Sequence, residues 1–260
     1  MKKVMKKAMK EVQEELSTGL RVPSNTVSPK TSDSPGKSTS AKDGKRVHSN
    51  RPTKEKVGRK DVNTLDLKRL ESVFHDYLNL KKLRRTGWQL RGIRDGESLA
   101  DHCFGTALLT FLLVPAVGNL DRDRAVRLAL VHELGECRVG DIPFPALAYL
   151  KGKSDAERAA VADIVAPLGP EQEEYNTLFA EFEDGSSREA RFVRAIDKLE
   201  MLVTALEYEK AGFRGLGDFW TNEATFRAFS EFSELVKLGE QLRERHCELA
   251  GGFPPTMPLP

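Results

Sequence analysis

Cysteine is scarce in this 260-residue chain, with only Cys103, Cys137 and Cys247. An odd count without CxxC spacing frames neither a disulfide scaffold nor a thiolate zinc site, and it points to a reducing, intracellular (cytoplasmic) compartment. Long apolar runs are missing too. No window approaches the roughly 18 uncharged apolar residues of a membrane span, and Lys2, Lys3, Lys6 and Lys7 are not followed by the apolar core of a signal peptide. Neither a transmembrane segment nor secretion is therefore expected. No stretch alternates polar and apolar residues over a strand's length, and no segment repeats at a fixed period, so the body reads as all-α. A strong net charge is lacking as well, the total being only +2. That balance conceals a split: residues 1–60 hold 16 of the 41 Lys/Arg and 6 of the 39 Asp/Glu, leaving 25 and 33 for the rest. A basic tail precedes an acidic body.

Residues 1–60 form the expected tail. From about Leu20 to Lys60 they are mostly Ser, Thr, Pro, Gly, Lys and Arg, with too little to bury to offset chain entropy. A short helix over residues 2–17 is possible, because Val4, Met5, Ala8, Met9, Val12 and Leu16 fall on one stripe; Glu11, Glu14 and Glu15 weaken any attraction to anionic lipid. The tail has no interleaved aromatics, so no stable nucleic-acid binding is expected. The folded domain is placed at 61–248, with a C-terminal tail over 249–260. Within the domain, Leu67, Leu70, Phe74, Tyr77 and Leu78 repeat at helical spacing. A second helix is predicted from an N-cap at Ser98 to Leu113, and a third from about Arg122 to Cys137, halted by Gly140 and Pro143/Pro145. Further helices are predicted at 155–166, 171–183, 187–211 and 223–246.

Two of the five histidines sit in helices that otherwise turn apolar residues inward. His132 and Glu136 are four apart and share a helical face, with Glu133 a quarter-turn round; His102 stands beside Leu99 and Cys103. Asp197 borders the stripe of Phe192, Ala195, Ile196, Leu199, Leu202, Val203 and Leu206. A carboxylate there needs a basic partner or a metal, since an isolated buried charge is too costly. HELGE looks like the HExxH of zinc proteases, but Glu136 stands where the second histidine is required.

His102, then His132-Glu133, then Asp197 on separate helices resembles the HD-domain metal-dependent phosphohydrolases. RRTGWQLRGIRDGESLADH, RAVRLALVHELGECRVGDIPFP and EARFVRAIDKLEMLVTALEYEK extend the likeness to the HD-domain 5′-deoxynucleotidase family over residues 65 to 245 or so. The resemblance implies an HD-domain helical bundle with a metal site in its core, held by His102, His132, Glu133 and Asp197. Glu136, Asp141 and the Ile142 carbonyl match positions at a second metal or the attacking water, and Glu136 and Asp141 would be catalytic. Arg85 and Trp88 match the region that takes the substrate phosphate and orients the nucleotide. A homodimer is also implied. One departure stands out: Glu133 occupies a position where the family has Asp, which bears on denticity and metal choice.

The expected activity is release of phosphate from deoxyribonucleoside 5′-monophosphates with a divalent cation; Co²⁺, Mn²⁺, Mg²⁺ and Zn²⁺ are all admissible for imidazole and carboxylate ligands. A catalytically impaired nucleotide sensor, a structural partner-binding protein and a di-iron oxidase are the rival readings.

Overall fold

Several of the helices start where a side chain satisfies a free backbone N–H group. The protein is described from a computed structural model, over residues 66–250. Asp66 caps α1 (Leu67–Lys82), accepting from Lys68 N at 3.1 Å. After the short α2 (Thr86–Gln89), Ser98 opens α3 (Leu99–Val117) with a full capping box: its Oγ accepts from Asp101 N at 3.2 Å, and Asp101 Oδ2 accepts from Ser98 N at 2.8 Å. Removing such a cap costs about 1 kcal/mol. Asp101 is thus a cap beside His102, not a ligand. Asp121 caps α4 (Arg122–Val131), which is followed by the single turn α5 (Glu136–Val139). Then come α6 (Lys153–Val165), α7 (Gln172–Asp184), the 23-residue α8 (Arg188–Lys210) capped by Ser187, the short α9 (Gly217–Thr221) and α10 (Glu223–Arg227), and α11 (Ser233–Ala250).

Helix α3 packs along α4 and α8, and α11 closes over α8. Phe192, Ala195, Ile196, Leu199, Leu202 and Leu206 are buried as their spacing predicts, together with Leu128, Phe229 and Phe232. Among the described residues there is no strand, only an isolated bridge between Arg84 and Ser98. The all-α reading holds.

Several expectations are corrected. The third predicted helix ends at Val131, and His132–Gly135 form a turn before α5. Gly135 lies hard against α6, where a Cβ would meet Glu157 Cβ at 2.8 Å, so the chain needs a bare backbone there. Glu136 therefore reaches the interior from a separate turn rather than from the face that carries His132. The predicted helix over 223–246 is also two: the chain turns between Arg227 and Ser233, burying Phe229 and Phe232, and then runs on helically to Ala250. In α1 the apolar repeat faces outward, with Leu67, Phe74, Tyr77 and Leu78 exposed. The helix buries Asp76 instead, whose two oxygens accept from Arg138 Nε at 3.1 Å and Nη2 at 2.7 Å. Val203 is exposed rather than part of the buried stripe. One helix, α3, is after all long and apolar enough to cross a membrane by length and composition. Its buried face carries His102, Thr106 and Thr110, with Leu99, Cys103, Ala107 and Val114, against neighbouring helices, while 33% of the apolar window is buried. The basic tail, its helix at 2–17 and nearly all of the C-terminal tail lie outside the described residues.

Candidate metal centre

Three helical segments bring four sequence-predicted residues together. His102 comes from the end of the first turn of α3, His132 and Glu133 from the turn after α4, and Asp197 from the middle of α8. One ligand atom from each lies within 4.8 Å of all the others. His102 Nε2 is 3.1 Å from Asp197 Oδ1 and 3.6 Å from Glu133 Oε1, and His132 Nε2 is 3.7 Å from the same Glu133 oxygen. The two Nε2 atoms face each other at 3.4 Å. His132 Nδ1–H donates to Ala129 O at 2.7 Å, which leaves its Nε2 lone pair turned to the group. Two imidazole nitrogens and two carboxylates converging without thiolate suit a divalent cation, so the residues fit the group that the pattern implies. Glu133 fills its place in this arrangement despite the extra methylene.

The electrostatics follow from burial and crowding. Burial and the Arg85 charge both oppose protonation of His102, but its bonds to Asp197 and Glu200 outweigh them and push it up to about 9. Burial holds His132 below the ordinary imidazole value. Burial alone would raise Glu133, yet His132, Arg85 and His102 bring it down to about 2. Asp197 is likewise kept well below the carboxylate range against burial, by Lys198 and His102.

Arg85, next to α2, joins the group directly: its Nη1 donates to Glu133 Oε1 at 2.8 Å and lies 3.7 Å from Asp141 Oδ1. Asp141 is fixed in turn, its carboxylate accepting from Thr86 N and its carbonyl from Thr86 Oγ1 at 2.8 Å. Glu136 is buried just outside the four. Burial, then Glu133 and Asp141, push it up to about 9. Lys153 Nζ donates to Glu136 Oε1 at 3.2 Å and also contacts Glu157 Oε1 at 2.5 Å, while Glu136 Oε2 has no hydrogen-bond partner. Ile142 follows Asp141 and is half-buried. Trp88 is almost wholly buried; its indole N–H donates to Glu97 Oε1 at 2.8 Å and its ring packs on Tyr208 and Phe219. Burial raises the Cys103 thiol, and raises Cys137 to about 12, in keeping with packed thiols rather than thiolate ligands.

Sequence reasoning missed Glu97, Lys153, Glu157 and Glu200. Glu200 was detectable: D-x-x-E places Asp197 and Glu200 on one face of α8, one turn apart.

An all-helical domain with a buried two-histidine, two-carboxylate centre and an arginine against it is the architecture of a metal-dependent hydrolytic centre. The HD-domain family model matches residues 78–236, which contain all of these groups, and the chain belongs to the HD-domain family. Among curated proteins it is 38% identical over 176 residues to 5′-deoxynucleotidase HDDC2 of Bos taurus, spanning 66% of this chain and 83% of that protein. It is 37% identical over 173 residues to 5′-deoxynucleotidase hdd1 of Schizosaccharomyces pombe, spanning 64% and 85%. Among solved structures, a conserved hypothetical protein from Pyrococcus furiosus matches at TM-score 0.56 and 30% identity over 68% of this chain and 98% of its own. A protein described as a predicted metal-dependent phosphohydrolase from Magnetospirillum magnetotacticum matches at TM-score 0.56 and 26% identity, over 71% and 93%.

Proposed function

We propose that this protein is a metal-dependent 5′-deoxynucleotidase that releases phosphate from deoxyribonucleoside 5′-monophosphates. The observation that carries the reading is the convergence of His102, His132, Glu133 and Asp197 within 4.8 Å with the Arg85 guanidinium against them. The names of its relatives support the same substrate class.

A bound divalent cation supplies charge neutralisation at the phosphoryl oxygens and a water acidic enough to attack near neutral pH. His102, His132, Glu133 and Asp197 would hold it, with Glu136, Asp141 and the Ile142 carbonyl as the residues for a second cation. Arg85 takes the phosphate: its planar fork offers two parallel donors, a geometry lysine cannot reproduce. With no second cation beside it, burial and neighbouring carboxylates keep Glu136 protonated near neutral pH, and its unpartnered Oε2 is where that proton is available for the departing 5′-oxygen. Asp141, anchored by Thr86, faces Arg85 and orients the attacking water. Trp88 acts from behind, as a wall of the nucleotide pocket braced by Glu97 and Phe219.

A homodimer is part of this reading. Its support is the apolar stripe of Phe104, Leu108, Phe111 and Leu112 on the exposed side of α3, which leaves large hydrophobic side chains in water unless a second copy covers them. The three free cysteines agree with a reducing, intracellular setting.

The test is phosphate release from a panel of deoxy- and ribonucleoside monophosphates by chelated protein reconstituted separately with Co²⁺, Mn²⁺, Mg²⁺ and Zn²⁺. Turnover of the deoxy series with one of these ions is the expected result. Folded protein that binds nucleotide and releases no phosphate with any ion would replace this reading with that of a nucleotide sensor.

A further inference from the structure

His102 is gripped from both sides. Its Nε2 points to Asp197 and Glu133, while its Nδ1 lies 2.6 Å from Glu200 Oε2, with both side chains buried. Glu200 is itself held in place: Thr204 Oγ1 donates to its Oε1 at 3.2 Å. The neighbouring helix makes room for it. Gly105, one turn beyond His102 on α3, lies so close that a Cβ there would sit 2.6 Å from Glu200 Oε1. The crossing of α3 and α8 therefore pairs His102 with Asp197 and Gly105 with Glu200. On the side towards α2, Glu97 completes a second group with His102 and Glu200, its carboxylate accepting from the Trp88 indole N–H.

We propose that Glu200 is a positioning residue for the metal centre: by accepting Nδ1–H it fixes the ring orientation and tautomer of His102, so that Nε2 presents its lone pair to the cation. Imidazole ligands depend on such an outer partner for ring orientation and basicity, and its loss typically weakens metal binding about 10- to 100-fold. Nothing in the chemistry requires Glu200 to touch substrate or cation. Gly105 is part of the device, because any side chain at that position displaces the carboxylate. The inference rests on the metal reading above.

The test is calorimetric titration of the full-length, chelator-stripped protein with Mn²⁺ alone, for wild type, Glu200→Met and Glu200→Gln. Glu200→Met keeps the volume and removes the acceptor, and is expected to weaken Mn²⁺ binding about 10- to 100-fold. Glu200→Gln retains an oxygen that accepts Nδ1–H and is expected to recover most of the affinity. At saturating Mn²⁺ the nucleotide KM should be unchanged in both. Unaltered Mn²⁺ affinity in folded Glu200→Met would overturn the proposal, and so would a loss in Glu200→Gln as large as in Glu200→Met, which would make the negative charge rather than the hydrogen bond decisive. Loss of one of two bound equivalents with the tighter one intact would overturn it too, and assign Glu97, His102 and Glu200 to a cation of their own. Should Glu200→Met not fold, Gly105→Ala moves the carboxylate without removing it and must weaken Mn²⁺ binding in the same direction. Wild-type protein that takes up no Mn²⁺ would overturn the metal reading itself.

Discussion

The two faces of α3 depart from the usual order of a globular helix. Its inner face buries the polar His102, Thr106 and Thr110 among Leu99, Cys103, Ala107 and Val114, whereas its outer face exposes Phe104, Leu108, Phe111 and Leu112. In an ordinary amphipathic helix the apolar side faces the core. At the His102 end the inner face is organised by charge and hydrogen bonds to Asp197 and Glu200, whereas the Thr106 and Thr110 hydroxyls are buried without a hydrogen-bond partner.

The inner face is the more sensitive. Asp197→Ala should abolish Mn²⁺ binding and lower kcat by about 1000-fold or more, the scale on which preorganised electrostatic groups act. An active, metal-replete Asp197→Ala protein, measured by metal analysis and phosphate release, would remove Asp197 from the centre. Next in size, Arg85→Lys should lower kcat/KM about 10- to 100-fold, since it exchanges a bidentate charged contact for a point charge. Steady-state kinetics showing no such loss would mean that phosphate binds elsewhere.

A pH series sharpens the contrast without mutation. In metal-free protein His102 titrates at about 9, above its value of roughly 6.5 in the unfolded chain, so its contribution to stability is complete below pH ~6.5 and is lost as the pH rises through about 9. Glu136, also raised to about 9, acts in the same direction, because its favoured form is protonated. The metal-free Tm is therefore expected to fall between pH 6.5 and 9, and the fall to shrink with Mn²⁺ bound, since the cation displaces the same proton. Scanning calorimetry with a flat or rising Tm over that range would contradict the buried cluster. The outer face should respond least in stability. Leu108→Glu combined with Leu112→Glu is expected to convert a dimer into monomers by light scattering, while exposed substitutions shift stability by only about 0.5 kcal/mol each. A variant pair that stays dimeric would clear α3 of any part in association.

Much of the fold was legible because local chemistry repeats along the chain. Ser98 announces a helix start, and the spacing through Phe192, Ile196, Leu199 and Leu206 marks the buried face of α8. The exceptions have physical causes. Nothing in HELGEC signals that the helix stops at Val131, because the break depends on α6 approaching Gly135 from a distant part of the sequence. The stripe in α1 is amphipathic on paper, but periodicity reports that a face is apolar and not whether the core lies on that side.

The candidate centre divides in the same way. The residue types and their order, His102, His132-Glu133 and Asp197, marked imidazole and carboxylate groups among apolar neighbours that needed a partner, and the family resemblance named them as candidate ligands. The bond from His102 to Glu200, the anchoring of Asp141 by Thr86 and the hold of Lys153 on Glu136 join residues 98, 55 and 17 positions apart. Contacts of that kind leave no local periodicity, so the sequence determined which groups could serve as ligands, and only the packing of α8 on α3 and of α6 beside Gly135 decided which neighbours orient them.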